Sequence, residues 1–420
     1  MKKTTSQQEG ATQKMYVRGT CRVCLGSKLE KILDLGSMPP ANAFLKRTEL
    51  KTEQDSFPLE LYFCRDCSLV QLCHVVDPKI LFGNYHYQTS ASAPLVNHFA
   101  EMAKTISEKY IRNPSDLVVE MGSNDGILLE NLKSSCAILG VDPSKKMASL
   151  AKKRGVPTLT AFFNKDTAKK VRQRHGEARV IVANNVFAHI DDLHSVMEGI
   201  NTLLSQNGVF IFETHWVGNL IDKGGYDQIY HEHLCYFSLH ALQNLAKRFN
   251  LNILDVSLVK IHGESLRVTL GKSGTVKKSV SSFLKKEKGL GLHLTSTFKL
   301  FAKKVARNKK ELVTLLKKLT VQKKKIIGYG APAKGNTLLN FCGITTDTLT
   351  FITDTTPLKQ HLFAPGSNIE IVSPERTAKA MPDYVLLLSW NYAPEILRKE
   401  TALRKSGVRF IIPVPKVRIV

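Results

Sequence analysis

Val118-Val119-Glu120-Met121-Gly122-Ser123-Asn124-Asp125-Gly126, followed by Val141-Asp142-Pro143, is the stretch that decides the fold. An apolar strand enters a glycine-rich turn and then a helix, and an acidic residue ends the next strand. Such a turn brings backbone N–H groups and a helix N-terminus close to a bound cofactor. Asp142 lies 20 residues after Gly122, where a carboxylate at the tip of the second strand can take both hydroxyls of a ribose. Glu120 argues against a dinucleotide, because an acid inside the turn repels a pyrophosphate. It suits a cationic ligand that carries an amino acid.

The alternation of strand and helix extends in both directions. Residues 93–112 read as a helix leading in. Strands are expected at Leu117–Met121, Ala137–Val141, Arg179–Ala183 and Gly208–Glu213, with helices between them. Units of this length imply a parallel, doubly wound sheet. Leu251–Val259 and Glu264–Leu270 read as a closing pair of strands. A second unit opens with Lys325-Ile326-Ile327-Gly328-Tyr329-Gly330-Ala331-Pro332-Ala333-Lys334-Gly335-Asn336-Thr337. It is not a Walker A loop, since Asn336 follows Gly335 where lysine is required. A second Rossmann-like half is expected, its turn facing a phosphate or diphosphate. Its next strand is expected at Leu349–Ile352, ending at Thr353-Asp354, and Tyr384–Trp390 reads as a buried central strand. Trp390-Asn391-Tyr392 then falls at a strand's carboxyl end, where α/β sheets bind ligands.

Four of the eight cysteines stand as Cys21-x2-Cys24 and Cys64-x2-Cys67. Paired knuckles put four thiolates at the corners of a tetrahedron, the geometry of a structural Zn²⁺ site with no open position for catalysis. The Leu33–Asn42 segment between the pairs is expected to be a looped insertion, and Cys73 and His74 are alternative ligands. Cys136, Cys235 and Cys342 read as core cysteines. At 420 residues the chain calls for two or three domains. Met1–Gln13 is polar and lacks the apolar region of a signal peptide, so a disordered tail and a cytoplasmic protein are expected. No apolar run approaches a membrane span. The formal charge is +24, yet Lys299–Lys325 alone holds eleven Lys or Arg against the single acid Glu311. Phe301, Val305, Leu312, Leu316 and Leu319 recur there at helical spacing, so an amphipathic helix with a solvated basic face is preferred over a nucleic-acid footprint.

Tyr230-His231-Glu232-His233 is the densest polar cluster, and it follows Glu213-Thr214-His215-Trp216 at a strand's end. A histidine with Glu and Tyr beside it has the equipment of a general base. In an extended segment His231 and His233 share one face; a hydrogen-bonded helix start is the alternative. Asn184-Asn185-Val186-Phe187-Ala188-His189 follows the strand Arg179–Ala183 and fits the boundary between cofactor and substrate. It lacks the Asn-Pro-Pro-aromatic signature of amino-group methylation. Tyr85-His86-Tyr87-Gln88-Thr89-Ser90 concentrates hydroxyls and rings that suit either interdomain packing or a substrate wall.

E-x-G-x-N-D-G resembles motif I of class I S-adenosylmethionine (SAM) methyltransferases. Cofactor contacts are therefore expected from Glu120, Gly122, Ser123, Asn124, Asp125, Gly126, Asp142, Pro143 and Asn184. The whole order of motifs, including Y-H-E-H-x-x-Y-F-S and G-Y-G-A-P-A-K-G-N-T, resembles the sugar C-methyltransferase family from about Thr20 to Pro415. The resemblance implies a zinc-binding domain over 18–85 after a tail at 1–17, a class I SAM methyltransferase Rossmann-like domain over 86–298, and a C-terminal Rossmann-like α/β domain over 299–420. It implies Cys21, Cys24, Cys64 and Cys67 on a structural zinc, His233 as base, and Glu232 and Tyr230 orienting the base or stabilising an oxyanion. His189 and Tyr87 are similar to further family active-site positions. The implied reaction is C-methylation, at C3, of a nucleotide-linked (dTDP or GDP) 4-keto-deoxyhexose. Such a reaction builds branched sugars for polysaccharides or secondary metabolites. No nucleic-acid or membrane partner is expected, and the protein is expected to be a monomer or weak homo-oligomer. An RNA methyltransferase and a non-catalytic binder of SAM or nucleotide sugar are the alternatives.

Overall fold

The computed structural model describes residues 14–82, 88–261 and 264–420. Strands β1 (Leu29–Met38), β2 (Phe57–Cys64) and β3 (Val70–Leu72) form an antiparallel sheet behind the two cysteine knuckles. The expected loop at Leu33–Asn42 is therefore half wrong: Leu33–Met38 completes β1, and the loop starts at Pro39. Ile32, Leu33, Leu35 and Met38 are buried, but register shifts fall after Lys31 and after Asp34. A strand interrupted in this way loses its period of two, which is why its sequence resembles a loop. Met15–Val17, assigned to the tail, pairs antiparallel with His74–Val76. The side chains explain it, since Tyr16 donates its hydroxyl to Asp191 and Met-Tyr-Val favours extended backbone. Met1–Gln13 lies outside the described residues.

Helix α1 (Ala93–Tyr110) buries Leu95, Phe99, Met102, Ala103 and Ile106, spaced at three and four residues, against the next sheet. Strands β4 (Leu117–Met121), β5 (Ala137–Asp142), β6 (Thr158–Thr160), β7 (Ala178–Asn184) and β8 (Leu204–His215) are all parallel. Val118 and Val119 are wholly buried, as expected of a central strand covered on both faces. Strand β9 (Cys235–Tyr236) leaves this layer and pairs with β3, Cys235 opposite Gln71, so it is the fourth strand of the knuckle sheet. Strands β10 (Asn252–Val259) and β11 (Ser265–Gly271) return as the closing antiparallel pair. The seven-stranded order is β10-β11-β8-β7-β4-β5-β6. The doubly wound sheet expected from the sequence is present, and its parallel strands present their carboxyl ends along one edge.

Helix α2 (Thr295–Val321) runs 27 residues, about 40 Å. Phe298, Phe301, Val305, Leu312, Leu316 and Leu319 face inward, while Lys303, Lys304, Arg307, Lys310, Lys317 and Lys318 face solvent. The chain then builds a third sheet from β12 (Ile326–Tyr329), helix α3 (Ala333–Cys342), β13 (Ile352–Thr353), β14 (Ile371–Val372), β15 (Tyr384–Leu387), β16 (Arg409–Ile412) and β17 (Arg418–Ile419). Its order is β14-β13-β12-β15-β16-β17, parallel except for β17, with β15 central as expected. The strand expected from Leu349 is shorter, because Leu349 N–H closes a turn on the Thr345 carbonyl at 3.0 Å. Among the described residues no helix is long and apolar enough to cross a membrane.

The two parallel sheets use one turn design twice. Gly122 has φ +67° and donates to the Val141 carbonyl at 2.8 Å; Gly330 has φ +81° and donates to the Thr353 carbonyl at 2.7 Å. Asn124 N–H donates to Asp142 Oδ2 at 2.9 Å, and Ala331 N–H donates to Asp354 Oδ2 at 2.6 Å.

Candidate active site

The turn after β4 is a pocket of acids. Gly122 is required there: a Cβ would stand 2.3 Å from Val186 Cγ2, at a φ that side chains rarely adopt. Glu120 is buried at the strand end, where Asn184 Nδ2 reaches its Oε1 at 3.4 Å. Glu120 Oε2, Ser123 Oγ, Asp125 Oδ1, Asn184 Oδ1 and Asn185 Oδ1 are all enclosed without a hydrogen-bond partner. Five orphaned oxygens at one strand edge form an arrangement that a cation or donor-rich ligand would relieve. Burial pushes the Glu120 carboxyl well above its ordinary range, partly offset by Asn184, with Asp142 and Asp125 adding to the rise. Asp142 is also raised by burial, against the backbone N–H groups of Ser144 and Asn124 that hold its two oxygens at 2.8 and 2.9 Å. This donor set fits S-adenosylmethionine: carboxylates for its sulfonium and ammonium, and Asp142 for its ribose.

Two details differ from expectation. The helix after the turn, Ile127–Glu130, is a single turn long. The carboxylates, more than a helix terminus, therefore set the polarity of the pocket. Pro143 is exposed, and it serves to carry Asp142 to Ser144, which caps the following helix through Met147 N–H at 3.3 Å. Gly126, at φ +77°, begins the short helix. Asn124 and Asp125 also hold Thr89 and Ser90: Thr89 N–H donates to Asn124 Oδ1 at 3.0 Å and Ser90 N–H to Asp125 Oδ2 at 3.3 Å. Tyr87 lies outside the described residues.

Across the strand ends from this pocket sits the histidine cluster. Residues Tyr230–His233 form a tight turn, His233 N–H donating to the Tyr230 carbonyl at 2.9 Å. The turn, in place of an extended segment or a helix start, sends the two histidines apart. His231 points to the knuckle sheet, where its Nε2 meets the Phe57 carbonyl at 3.0 Å. His233 points inward, to rings of Tyr230 at 3.9 Å, His215 at 4.6 Å and His189 at 5.0 Å between centroids. The Gln228 carbonyl, 3.1 Å from His233 Nδ1, can only accept, so the proton sits on Nδ1 and the lone pair on Nε2. A histidine fixed in that tautomer is built to take a proton. Glu232 is buried and receives Asn42 Nδ2 at 2.6 Å; burial pushes its carboxyl up to about 7.

His189, Tyr230, Glu232 and His233 are thus brought together, at the same strand edge as Glu120 and Asn184. His215 and Asn42 belong to this group and were not singled out from the sequence. His215 had one signal, its place at the end of β8; Asn42 had only its place at the end of the segment between the knuckles, 190 residues from Glu232. A third part faces the cluster from the C-terminal sheet. Lys334, beside the second glycine turn, lies over the Trp390 ring at 4.2 Å and donates to Asn391 Oδ1. Trp390 Nε1 donates to the buried Asp227 Oδ2 at 2.5 Å, and Lys334 partly offsets the burial that raises the Asp227 carboxyl.

Burial lowers His189 and His231 to about 4 from the ordinary 6.5. Both are neutral in the native protein at neutral pH. As pH falls below 6.5 the unfolded chain takes up protons that these sites refuse, so stability falls between 6.5 and about 4 and is flat above. Each site contributes up to about 3 kcal/mol over that window. Thermal melts from about pH 7.5 down to about pH 5 should show this slope, and His231→Gln should remove part of it. An identical slope in the variant would refute the assignment.

The knuckles complete the geometry. The ligand atoms of Cys21, Cys24, Cys64 and Cys67 lie within 4.8 Å of one another, with Cys21 and Cys67 Sγ 3.4 Å apart and Cys24 and Cys64 Sγ 3.5 Å apart. Four free thiols at near the S–S spacing of a tetrahedral Zn–thiolate site, about 3.8 Å, fit that metal and leave no vacant ligand position. Among the described residues neither Cys73 nor His74 joins the cluster. Arg22, wholly buried inside the first knuckle, donates through Nε to Asp191 Oδ1 at 2.9 Å, two residues beyond His189.

Three family models match in series. Residues 21–82 match a zinc binding domain, 96–256 a methyltransferase domain, and 260–415 a C-methyltransferase C-terminal domain. The C-methyltransferase NovU of Streptomyces niveus is 36% identical over 404 residues, covering 95% of this chain and 96% of that protein. A S-adenosylmethionine-dependent methyltransferase from Clostridium acetobutylicum is 16% identical, covering 47% of this chain and 96% of its own, with a TM-score of 0.34. The magnesium protoporphyrin IX methyltransferase of Synechocystis is 13% identical, covering 46% and 89%, with a TM-score of 0.33.

Proposed function

This chain belongs to the C-methyltransferase family that NovU represents, a SAM-dependent family with a zinc binding domain, and on that premise we propose that it methylates C3 of a nucleotide-activated 4-keto-deoxyhexose. The observation that carries the reading is the meeting, at one sheet edge, of an acid pocket with orphaned oxygens and a histidine whose lone pair is fixed on Nε2. A ketone at C4 acidifies the proton on C3, and His233 Nε2 removes it. Tyr230 borders the enolate oxygen that results, where its hydroxyl lowers the cost of the developing charge, and the Glu232 carboxylate orients the base. His189, neutral and close-packed, keeps the His233 ring from turning. Glu120, Asp142 and Asn184 hold SAM, which when bound supplies an electrophilic methyl group to the carbanion. Alignment of the two carbons provides much of the rate.

Lys334 and Asn391 at the second turn hold the nucleotide diphosphate in this reading. The organisation in this reading is three domains, the first opening at Met15 and the others at 86–298 and 299–420, working in the cytoplasm on a dTDP- or GDP-linked sugar. The test is incubation with labelled SAM and a panel of nucleotide 4-keto-6-deoxysugars, with the added methyl located by NMR. Methylation at C3 of one panel member is expected. Transfer to oxygen or nitrogen, or no transfer across dTDP and GDP sugars, would overturn the proposal.

A further inference from the structure

The loop between β1 and β2 reaches further into the molecule than its place in a zinc-knuckle sheet requires. Pro39 and Pro40 are buried and hold their own φ near −65°, so they deliver the next two residues rigidly. The Ala41 carbonyl accepts Asn336 Nδ2 of α3 at 2.7 Å, in a buried contact. The adjacent Asn42 donates its own Nδ2 to Glu232 Oε1 at 2.6 Å. Two consecutive residues therefore tie the helix of the second glycine turn to the turn that carries His233. The rest of the Asn42 side chain is exposed, whereas Glu232 is buried, so the contact does little for the core. Its effect falls on one carboxylate.

We propose that Asn42 is a positioning residue for the acceptor chemistry, fixing the carboxylate of Glu232, the residue that precedes His233 in its turn, from the loop that follows β1. The proposal rests on the keto-sugar reading and deepens it. A buried carboxylate with a single side-chain donor has several rotamers open to it; a 2.6 Å bond from a proline-stiffened loop selects one. The amide also favours the charged carboxylate, against the burial that drives the group toward neutrality. Asn42→Ala removes the donor. Asn42→Asp keeps the size but puts a second carboxylate against Glu232, which raises the Glu232 carboxyl further.

The experiment has two arms, both with dTDP-4-keto-6-deoxyglucose as the probe. The first follows deuterium exchange at C3 by NMR without cofactor, which isolates proton removal. The second records the pH profile of methyl transfer with SAM. Asn42→Ala should slow exchange by at least about tenfold, with SAM affinity by calorimetry unchanged. Asn42→Asp should move the acid limb of the profile up by about one pH unit, a shift that a merely structural role would not produce. Wild-type activity with both variants at wild-type values overturns this proposal alone. A wild-type protein that neither exchanges nor methylates the probe or any other panel sugar overturns the substrate reading and this proposal with it.

Discussion

His233→Ala is expected to lower methyl transfer by a factor of about 10² to 10⁴, the usual contribution of a general base, with SAM affinity unchanged. The separation follows from the geometry. His233 hydrogen-bonds Gln228 and packs tilted or edge-on against the rings of Tyr230, His215 and His189, while the orphaned oxygens of the cofactor pocket belong to residues 120–125 and 184–185. Calorimetric titration with SAM and single-turnover methyl transfer read the two effects independently. His233→Gln, which keeps much of the ring's volume, should be as inactive as the alanine variant if proton removal is what is lost. Turnover near wild type in both would remove His233 from the mechanism.

Loss of the knuckle metal is expected to abolish activity although none of the four knuckle cysteines lies in the histidine cluster. Structural zinc is worth about 10–16 kcal/mol in isolated fingers, and knuckle sheets fold around it. Here β9 is a strand of that sheet, and it follows the His233 turn by one residue, Leu234, whose carbonyl accepts Leu72 N–H at 2.9 Å. Asn42, Phe57 and Arg22 hold the same region from the knuckle side. Cys64→Ser, or chelation, should therefore release zinc, expose residues 21–82 to protease and stop methyl transfer together. Metal analysis, limited proteolysis and turnover on one sample decide it. Zinc-free protein that keeps both protease resistance and activity would show that the knuckles do not support the site.

These two expectations mark what the amino-acid order revealed and what it withheld. The turn at Glu120–Gly126 was legible because its causes are local: an apolar strand, a glycine at positive φ, and an acid one strand later. The four knuckle cysteines were legible from spacing, and the α2 face from periodicity. Strand β1 was hidden because its register shifts erase the alternation that identifies a strand. His231 and His233 looked equivalent, and only the 2.9 Å turn bond at Tyr230 shows why they part. Asp227–Trp390 and Asn42–Glu232 are 163 and 190 residues apart, and such pairings leave no spacing to read.

The twice-used turn has a consequence for how the molecule sorts its ligands. Where the first copy carries Glu120 two residues before its positive-φ glycine, the second carries Gly328 before Gly330. Where the first continues to Gly126, four residues past Gly122, the second places Lys334 four past Gly330. The scaffold is shared and the sign of its charge is reversed. An anion entering the first cradle meets carboxylates that Arg154, 3.6 Å from Asp125, only partly offsets, and a cation entering the second meets the Lys334 ammonium, which Asp227 partly offsets. With SAM in the first and the diphosphate in the second, as proposed, each cradle would disfavour the other's guest by Coulomb repulsion. Rising ionic strength should erode that discrimination in both cradles at once, and carboxylate-for-lysine exchange at 334 should make the copies compete for one cationic guest.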